Sequence, residues 1–375
     1  MRYIWQHEDW PHFIYDLSDL QDILYLYAKE TSYLSGSLDQ LPDTLQNETL
    51  IDLMISEAIK TSAIEGEKLD QDQVRFSIRN QLGLSQKQEL VKDPRAVGIA
   101  QLMISVRKNW NQPLRKEDLF EWHRMVIADP SQASTMEVGM WRTSADPMQI
   151  VSGALGHEKV HYEAPPSLRI EQEMEQFIAW FNRSCSDKIP GPVKAAIAHL
   201  YFECIHPFAD GNGRIGRAIS EKALSQDLHR PVLLSLSTQI EKNRKKYYEE
   251  LSIASRGDLN IQRWVKYFTH LIYEAQLDAK KQILFIIQKA KFWTHYGLKL
   301  NERQSRVLTR MFKEGPLGFT GGISAQKYMK IADCSKATAT RDLTELLAYG
   351  CLERLPGSGR STSYALKLET TTISF

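Results

Sequence analysis

The sequence predicts a mainly α protein: an N-terminal helical domain, a helical core interrupted by one β-hairpin, and a C-terminal winged helix-turn-helix. Three observations carry this. Apolar residues recur at helical spacing, as at Ile51, Ile55 and Ile59. Between Trp141 and Pro165 that periodicity gives way to two short extended runs around a glycine-containing loop. Beyond residue 300, two short helical stretches and two strand-like runs alternate with turn residues.

The elements follow in order. Residues 1–112 read as the N-terminal helical domain. In it Leu50, Met54 and Ala58 widen the isoleucine face, Asn47 is a candidate N-cap, and Gly66 suits a helix end, giving a helix over about 47–66. Residues 113–273 read as the core. Ile170, Met174, Phe177, Ile178 and Phe181 outline a helix just after Pro165-Pro166, and 195–205 is apolar almost all round and therefore a buried helix. Residues 149–151 and 159–162 flank 152–156 as a hairpin. A linker helix is expected over 274–300. Residues 301–375 form the last domain, with helices over 323–331 and 336–349 and a wing from 351–354 and 363–367.

Bulk properties narrow the function classes. The chain has 375 residues, enough for two or three domains. Its net charge is +1 and its pI about 7.7, so no global field recruits nucleic acid or anionic membrane. Cys185, Cys204, Cys334 and Cys351 form no close pair, which speaks against a zinc site or a disulfide framework and fits a reducing cytoplasm. The first residues have no apolar signal core, and no apolar run reaches the length of a membrane span. A soluble cytoplasmic protein is expected.

One stretch concentrates chemistry: His206-Pro207-Phe208-Ala209-Asp210-Gly211-Asn212-Gly213-Arg214-Ile215-Gly216-Arg217. Pro207 disfavours helical geometry at His206, so the buried helix ends there and presents an imidazole, a proton acceptor, on a loop. Gly211, Gly213 and Gly216 permit tight turns and close backbone approach. A helix starting near 212–214 directs unpaired N–H groups and its positive end at the loop, an anion site. Arg214 and Arg217, three apart, project from neighbouring points and reach phosphate oxygens with a planar fork. Asp210 is a hard oxygen ligand suited to Mg²⁺ that phosphates also hold. Together these are parts for handling a nucleoside triphosphate. There is no Gly-Lys-[Ser/Thr], so this is not a Walker-type loop.

The segment resembles the Fic family signature, His-x-Phe-x-[Asp/Glu]-Gly-Asn-Gly-Arg-x-x-Arg, at every fixed position. The resemblance covers about 114–273, and the whole chain more weakly. It implies a protein adenylyltransferase using ATP and Mg²⁺. His206 would take the proton of a target hydroxyl that attacks the α-phosphate, and Asp210 would hold Mg²⁺. Asn212 and the backbone of Gly211 and Gly213 would form the anion hole, Arg214 would steady the β-phosphate and Arg217 the γ-phosphate, with Ile215 and Gly216 within the same nucleotide cradle. Positioning, charge stabilisation and one proton transfer would supply the catalysis.

The resemblance extends to Thr61-Ser62-Ala63-Ile64-Glu65-Gly66, which is similar to the family's inhibitory motif. It implies that Glu65 pairs with Arg217 and blocks productive ATP binding within the same chain. Residues 148–162 resemble the family's flap, which holds extended target backbone by strand addition. Tyr248, in a Tyr247-Tyr248 pair, falls where relatives border the adenine and ribose, whereas Ser255 stands where relatives use Asn. His157 and His161 lack a second ligand pair, so a metal role is not assigned to them. In the last domain Ser335, Lys336, Thr338, Thr340 and Arg341 resemble the start of a recognition helix, with Arg354 and Arg360 beside it. DNA binding and protein docking both remain open there, because Asp342, Glu345 and Glu353 dilute the charge. Family habit implies homodimers, and self-modification is expected. Two other readings stand beside the leading one: removal of AMP or transfer of another phosphate-containing group, and a nucleotide-sensing DNA-binding regulator.

Overall fold

The computed structural model describes residues 3–85, 87–129, 131, 136–152, 159–183, 189–356 and 362–368. It is mainly helical, as the apolar spacing requires. The helices are α1 (Gln21–Asp39), α2 (Asp43–Ile64), α3 (Gln71–Gln81), α4 (Pro94–Lys108), α5 (Lys116–Val126), α6 (Ile170–Arg183), α7 (Gly191–Ile205) and α8 (Asn212–Leu228). They continue with α9 (Leu236–Lys242), α10 (Arg244–Arg256), α11 (Gln262–Tyr296), α12 (Glu302–Phe312), α13 (Ala325–Ala332) and α14 (Lys336–Ala348). Strands β1 (Gln149–Ser152) and β2 (Lys159–Glu163) pair antiparallel, as do β3 (Leu352–Arg354) and β4 (Tyr364–Leu366). The chain divides into two compact units, Met1–Gly36 with Leu50–Leu277 and Ser37–Thr49 with Asp278–Phe375.

The first unit is built around α7. Every residue of this helix is buried, including Lys194, His199 and Glu203. A helix apolar on all faces has no surface to give to water, so others must surround it. α8 runs along it, and Trp264 of α11 donates its indole N–H to the Ala196 carbonyl at 2.7 Å. The buried His199 ring meets the Tyr247 hydroxyl at 2.6 Å, which satisfies one polar group of each.

The hairpin is pinned to this core on one side. Ile150 lies opposite Tyr162, and the register shifts between Ile150 and Val151. The buried Tyr162 donates its hydroxyl to the Cys204 carbonyl at 2.6 Å, near the end of α7. Arg256 of α10 donates to the Val160 and His161 carbonyls, and Trp5 donates to the Glu163 carbonyl. The Val160, His161 and Glu163 carbonyls of β2 are thereby occupied. The loop 153–158, with His157, lies outside the described residues, as do Cys185 and Arg360.

Two element readings are corrected. Asn47 is not an N-cap: α2 begins four residues earlier at Asp43, after Pro42, whose carbonyl accepts from the Leu45 and Gln46 N–H groups. A proline at the entrance and an acid in the first turn start the helix there, so Asn47 is interior. The expected linker helix does not begin at 274 either. α11 runs unbroken from Gln262 to Tyr296 because no proline or glycine interrupts its apolar face.

In the second unit α12, α13 and α14 share a core of Val307, Leu308, Met311, Tyr328, Leu343 and Leu346. Asp333, in the left-handed region at φ +50, turns the chain between α13 and α14, and Ser335 caps α14 by accepting from the Thr338 N–H. Asp342 is buried at the centre, bonded to Arg303 at 3.0 Å and to the Tyr328 hydroxyl at 3.0 Å. Among the described residues no helix is long and apolar enough to cross a membrane.

Candidate active site

The motif loop is set between two helix ends. α7 stops at His206, whose backbone takes the left-handed region (φ +50, ψ 60) while its N–H still bonds the Phe202 carbonyl. That region is uncommon for a residue with a side chain, and Pro207 prevents the helix from continuing. α8 starts after Gly211, also left-handed at φ +81, where an added Cβ would lie 2.8 Å from Val126. Only glycine fits both the dihedral and the space.

Side chains fix the loop between them. Asn212 accepts from the Phe208 N–H at 3.0 Å and donates to the Phe208 carbonyl at 2.8 Å, closing the loop on itself. Its amide is thus committed to loop shape, and what it and Gly213 offer an anion is their backbone N–H groups at the start of α8. Phe208 is buried against Trp141, at a centroid distance of 5.0 Å, and stacks on His123 at 4.1 Å.

Two fixing residues were not singled out in the sequence. His123 of α5 accepts from the Gly139 N–H at 2.9 Å through Nδ1, so its Nε2 carries the proton toward the Asp210 carbonyl at 3.1 Å. Burial pushes this imidazole down to about 4, which keeps it neutral. Arg142 donates to the His206 carbonyl at 2.8 Å and to the Pro165 carbonyl at 2.5 Å, while its own N–H bonds the Pro207 carbonyl. It ties the imidazole-bearing turn to the segment after the hairpin. No local pattern marks these roles, because both residues act on backbone carbonyls far away in sequence.

The His206 side chain is 14% exposed, and its Nδ1 is buried with no hydrogen-bond partner among the described residues. Burial, and then Arg142, push it down to about 4, so the ring is neutral and able to accept a proton at neutral pH. Glu203, one turn back on α7, lies 3.9 Å from Nδ1. It is only 7% exposed, and burial followed by the neighbouring Glu65 pushes its carboxyl up to about 8 against the pull of Arg217.

The two arginines are both engaged. Arg217, 2% exposed, donates to Glu65 at 2.7 Å, to the Thr61 hydroxyl at 2.7 Å and to the Thr61 carbonyl at 3.0 Å. The sequence reading brought Glu65 and Arg217 together, and the structure places them in contact. Gly213 leaves the space: an added Cβ would fall inside contact distance of Glu65 Oε1. Arg214 is also buried, and donates to Glu67 at 2.8 Å. Glu67 was not singled out in the sequence.

Asp210 is the open member of the motif. Its side chain is 48% exposed, 3.8 Å from Arg214, and accepts from the Gly211 N–H. Ile215 is wholly buried, and Gly216 lies against Glu203 and the His199 ring, where a Cβ would meet the Glu203 oxygen at 2.6 Å. Tyr248 is 40% exposed and packs edge-on against the buried Tyr247 at 5.1 Å, with the Arg244 guanidinium 5.7 Å above its ring. Ser255 is buried and its hydroxyl bonds the Ser252 carbonyl of its own helix.

A buried helix ending in a left-handed histidine, a loop closed by its asparagine and a helix N-terminus flanked by two arginines define a Fic-type domain. The Fic/DOC family profile matches residues 113–224, and the chain carries a Fic domain there. Residues 3–84 match a domain of unknown function, DUF4172. The chain is 26% identical over 225 residues to protein adenylyltransferase fic-1 of Caenorhabditis elegans, covering 57% of this chain and 40% of that protein. It is 28% identical over 207 residues to protein adenylyltransferase Fic of Drosophila willistoni, covering 54% and 38%. It therefore spans about two fifths of the length of these curated relatives. A solved Fic family protein from Desulfovibrio desulfuricans G20 shares the fold, with a TM-score of 0.52 and 21% identity over 93% of this chain and 96% of that one. So does a Fic domain containing signaling protein from Bacteroides thetaiotaomicron VPI-5482, at 0.52 and 17% over 72% and 97%.

Proposed function

We propose that the protein is an autoinhibited protein adenylyltransferase that moves AMP from ATP to a Ser, Thr or Tyr hydroxyl of a target protein or of itself. The observation that carries this reading is that both motif arginines hold carboxylates beside a helix N-terminus. A guanidinium that binds a carboxylate in this way suits a phosphate in its place.

In the reaction, His206 takes the proton of the target hydroxyl. The hydroxyl oxygen bonds to the α-phosphorus, the bond from that phosphorus to the bridging oxygen breaks, and pyrophosphate leaves. The neutral imidazole supports the role of base. Backbone N–H groups of Asn212 and Gly213 at the start of α8 stabilise the transferring phosphate, joined by that of Gly211 once it leaves the Asp210 carboxylate it bonds here, and Arg214 and Arg217 hold the β- and γ-phosphates. Tyr248 borders the nucleoside. A single, half-exposed carboxylate at Asp210 fits Mg²⁺ whose other ligands are phosphate oxygens and water. When bound, that ion neutralises phosphate charge. Extended target backbone adds to the hairpin along β1, since Arg256 holds the Val160 and His161 carbonyls of β2. Glu65 keeps the enzyme off by occupying Arg217.

The test is the intact mass of wild type, Glu65→Gly and His206→Ala after incubation with ATP and Mg²⁺. One AMP increment on the Glu65→Gly protein, absent from a variant that also carries His206→Ala, is expected. No increment in the released variant, or loss of AMP from a pre-modified protein instead, would overturn the direction of transfer.

For the second unit we propose a winged helix-turn-helix role in DNA contact, supported by the exposed Lys336, Thr340 and Arg341 on α14. A salt-dependent shift of duplex DNA that Lys336→Glu abolishes is the expected result; no shift at low salt rejects it.

A further inference from the structure

Glu65 and Glu67 lie at the end of one helix, two residues apart. In a continuing helix such residues would point about 200° apart around the axis and could not serve one surface. Here the helix stops at Ile64, and Gly66 takes the left-handed region at φ +87. The Glu67 N–H turns back to the Ser62 carbonyl at 3.0 Å and the Gly66 N–H to the Ala63 carbonyl at 3.1 Å, closing the helix end. That reversal brings the second carboxylate round to the same side as the first. Glu65 reaches Arg217 at 2.7 Å and Glu67 reaches Arg214 at 2.8 Å.

The local electrostatics make the placement informative. Two acids at a helix C-terminus face the negative end of its dipole, an arrangement that is disfavoured without a compensating cation. Each is instead compensated by a guanidinium on α8. Arg214 has a 3% exposed side chain and Glu67 a 16% exposed one, so the pair is shielded from water. Its other carboxylate neighbour, Asp210, is more distant at 3.8 Å.

We propose that Glu67 is a second lock on the nucleotide site, occupying the phosphate seat of Arg214 as Glu65 occupies that of Arg217. This rests on the reading of the two arginines as phosphate ligands. Release of Glu65 alone then frees one arginine, and the β-phosphate must still displace Glu67. A signal that opens the site fully has to move the whole turn 64–67, not rotate one side chain.

The experiment uses the full chain as wild type, Glu65→Gly, Glu67→Gln and the double variant. Calorimetry measures the affinity for ATP with Mg²⁺, and for adenosine as a probe without phosphates. Adding Glu67→Gln to Glu65→Gly should tighten ATP binding about five- to tenfold and leave adenosine binding unchanged, because a neutral amide competes poorly for a guanidinium. Glu67→Asp, too short to keep the contact, should behave like Glu67→Gln and guards against an effect peculiar to the amide. Unchanged or weaker ATP binding in the double variant would overturn the proposal and make Glu67 a positioning residue for Arg214. If ATP binds but no AMP is transferred in Glu65→Gly, the transferase reading fails while the affinity comparison still judges Glu67.

Discussion

Replacing Glu203 by Gln should make the protein more stable than the wild type by a margin that widens as pH rises, and the structure sets the scale. Glu203 is buried in α7 beside Arg217 and His206, and burial, then Glu65, push its carboxyl from an ordinary 4.5 up to about 8. The sign follows from proton binding. Between these two values the unfolded chain has released the proton and the folded chain keeps it, so wild-type stability falls as pH rises. Each unit is worth about 1.4 kcal/mol, giving a penalty of about 3 kcal/mol at pH 7 and about 4 kcal/mol at pH 8, where the folded carboxyl is half ionised. Below pH 4.5 both states hold the proton and no penalty exists. Gln resembles the protonated carboxyl in shape and does not titrate, so the variant escapes the whole term. Burying the amide adds an offset that is the same at every pH, which makes the slope the readout. His206, pushed down to about 4, stays neutral across the window, and Arg217 stays charged. Urea unfolding of both proteins between about pH 5 and pH 8 measures the difference. It should widen by roughly 1.4 kcal/mol per unit in favour of the variant. A constant difference over that range would refute the reasoning and place the charge of Glu203 on Arg217 in the folded state.

His206 itself gives a kinetic counterpart. Burial and Arg142 lower its imidazole to about 4, so in Glu65→Gly the kcat/KM of AMP transfer should hold as pH falls through 6.5 and be lost only toward about 4. An acid limb centred at 6.5 would contradict a desolvated base. In the second unit, Asp342→Ala removes the partner of Arg303 and Tyr328 and should cost that unit roughly 3 kcal/mol, read as faster hydrogen exchange in α12 to α14 with α7 unaffected. Equal loss of protection in α7 would show that the effect is not local.

Much of this protein was legible in its sequence because the decisive signals are local. The apolar run of α7, the Pro207 stop, the glycines of the loop and the arginine pair are all neighbours along the chain, and helix periodicity and proline chemistry act over a few residues. Helix limits were less legible: Asn47 looked like a cap because capping residues also occur inside helices, and Pro42 had already started α2. Glu65 was found only through its resemblance to a known motif, since a glutamate at a helix end is ordinary on its own.

What tertiary structure alone decided is which charges meet. Glu67 reaches Arg214 because Gly66 reverses the chain, His123 clamps Asp210 across 87 residues, and Arg142 holds His206 across 64. The unusual carboxyl of Glu203 likewise comes from the helices that enclose it. Spacing along a chain fixes the local backbone, but burial and the distance between charges are properties of the packed interior, and they determine which arginine, carboxylate and imidazole work together.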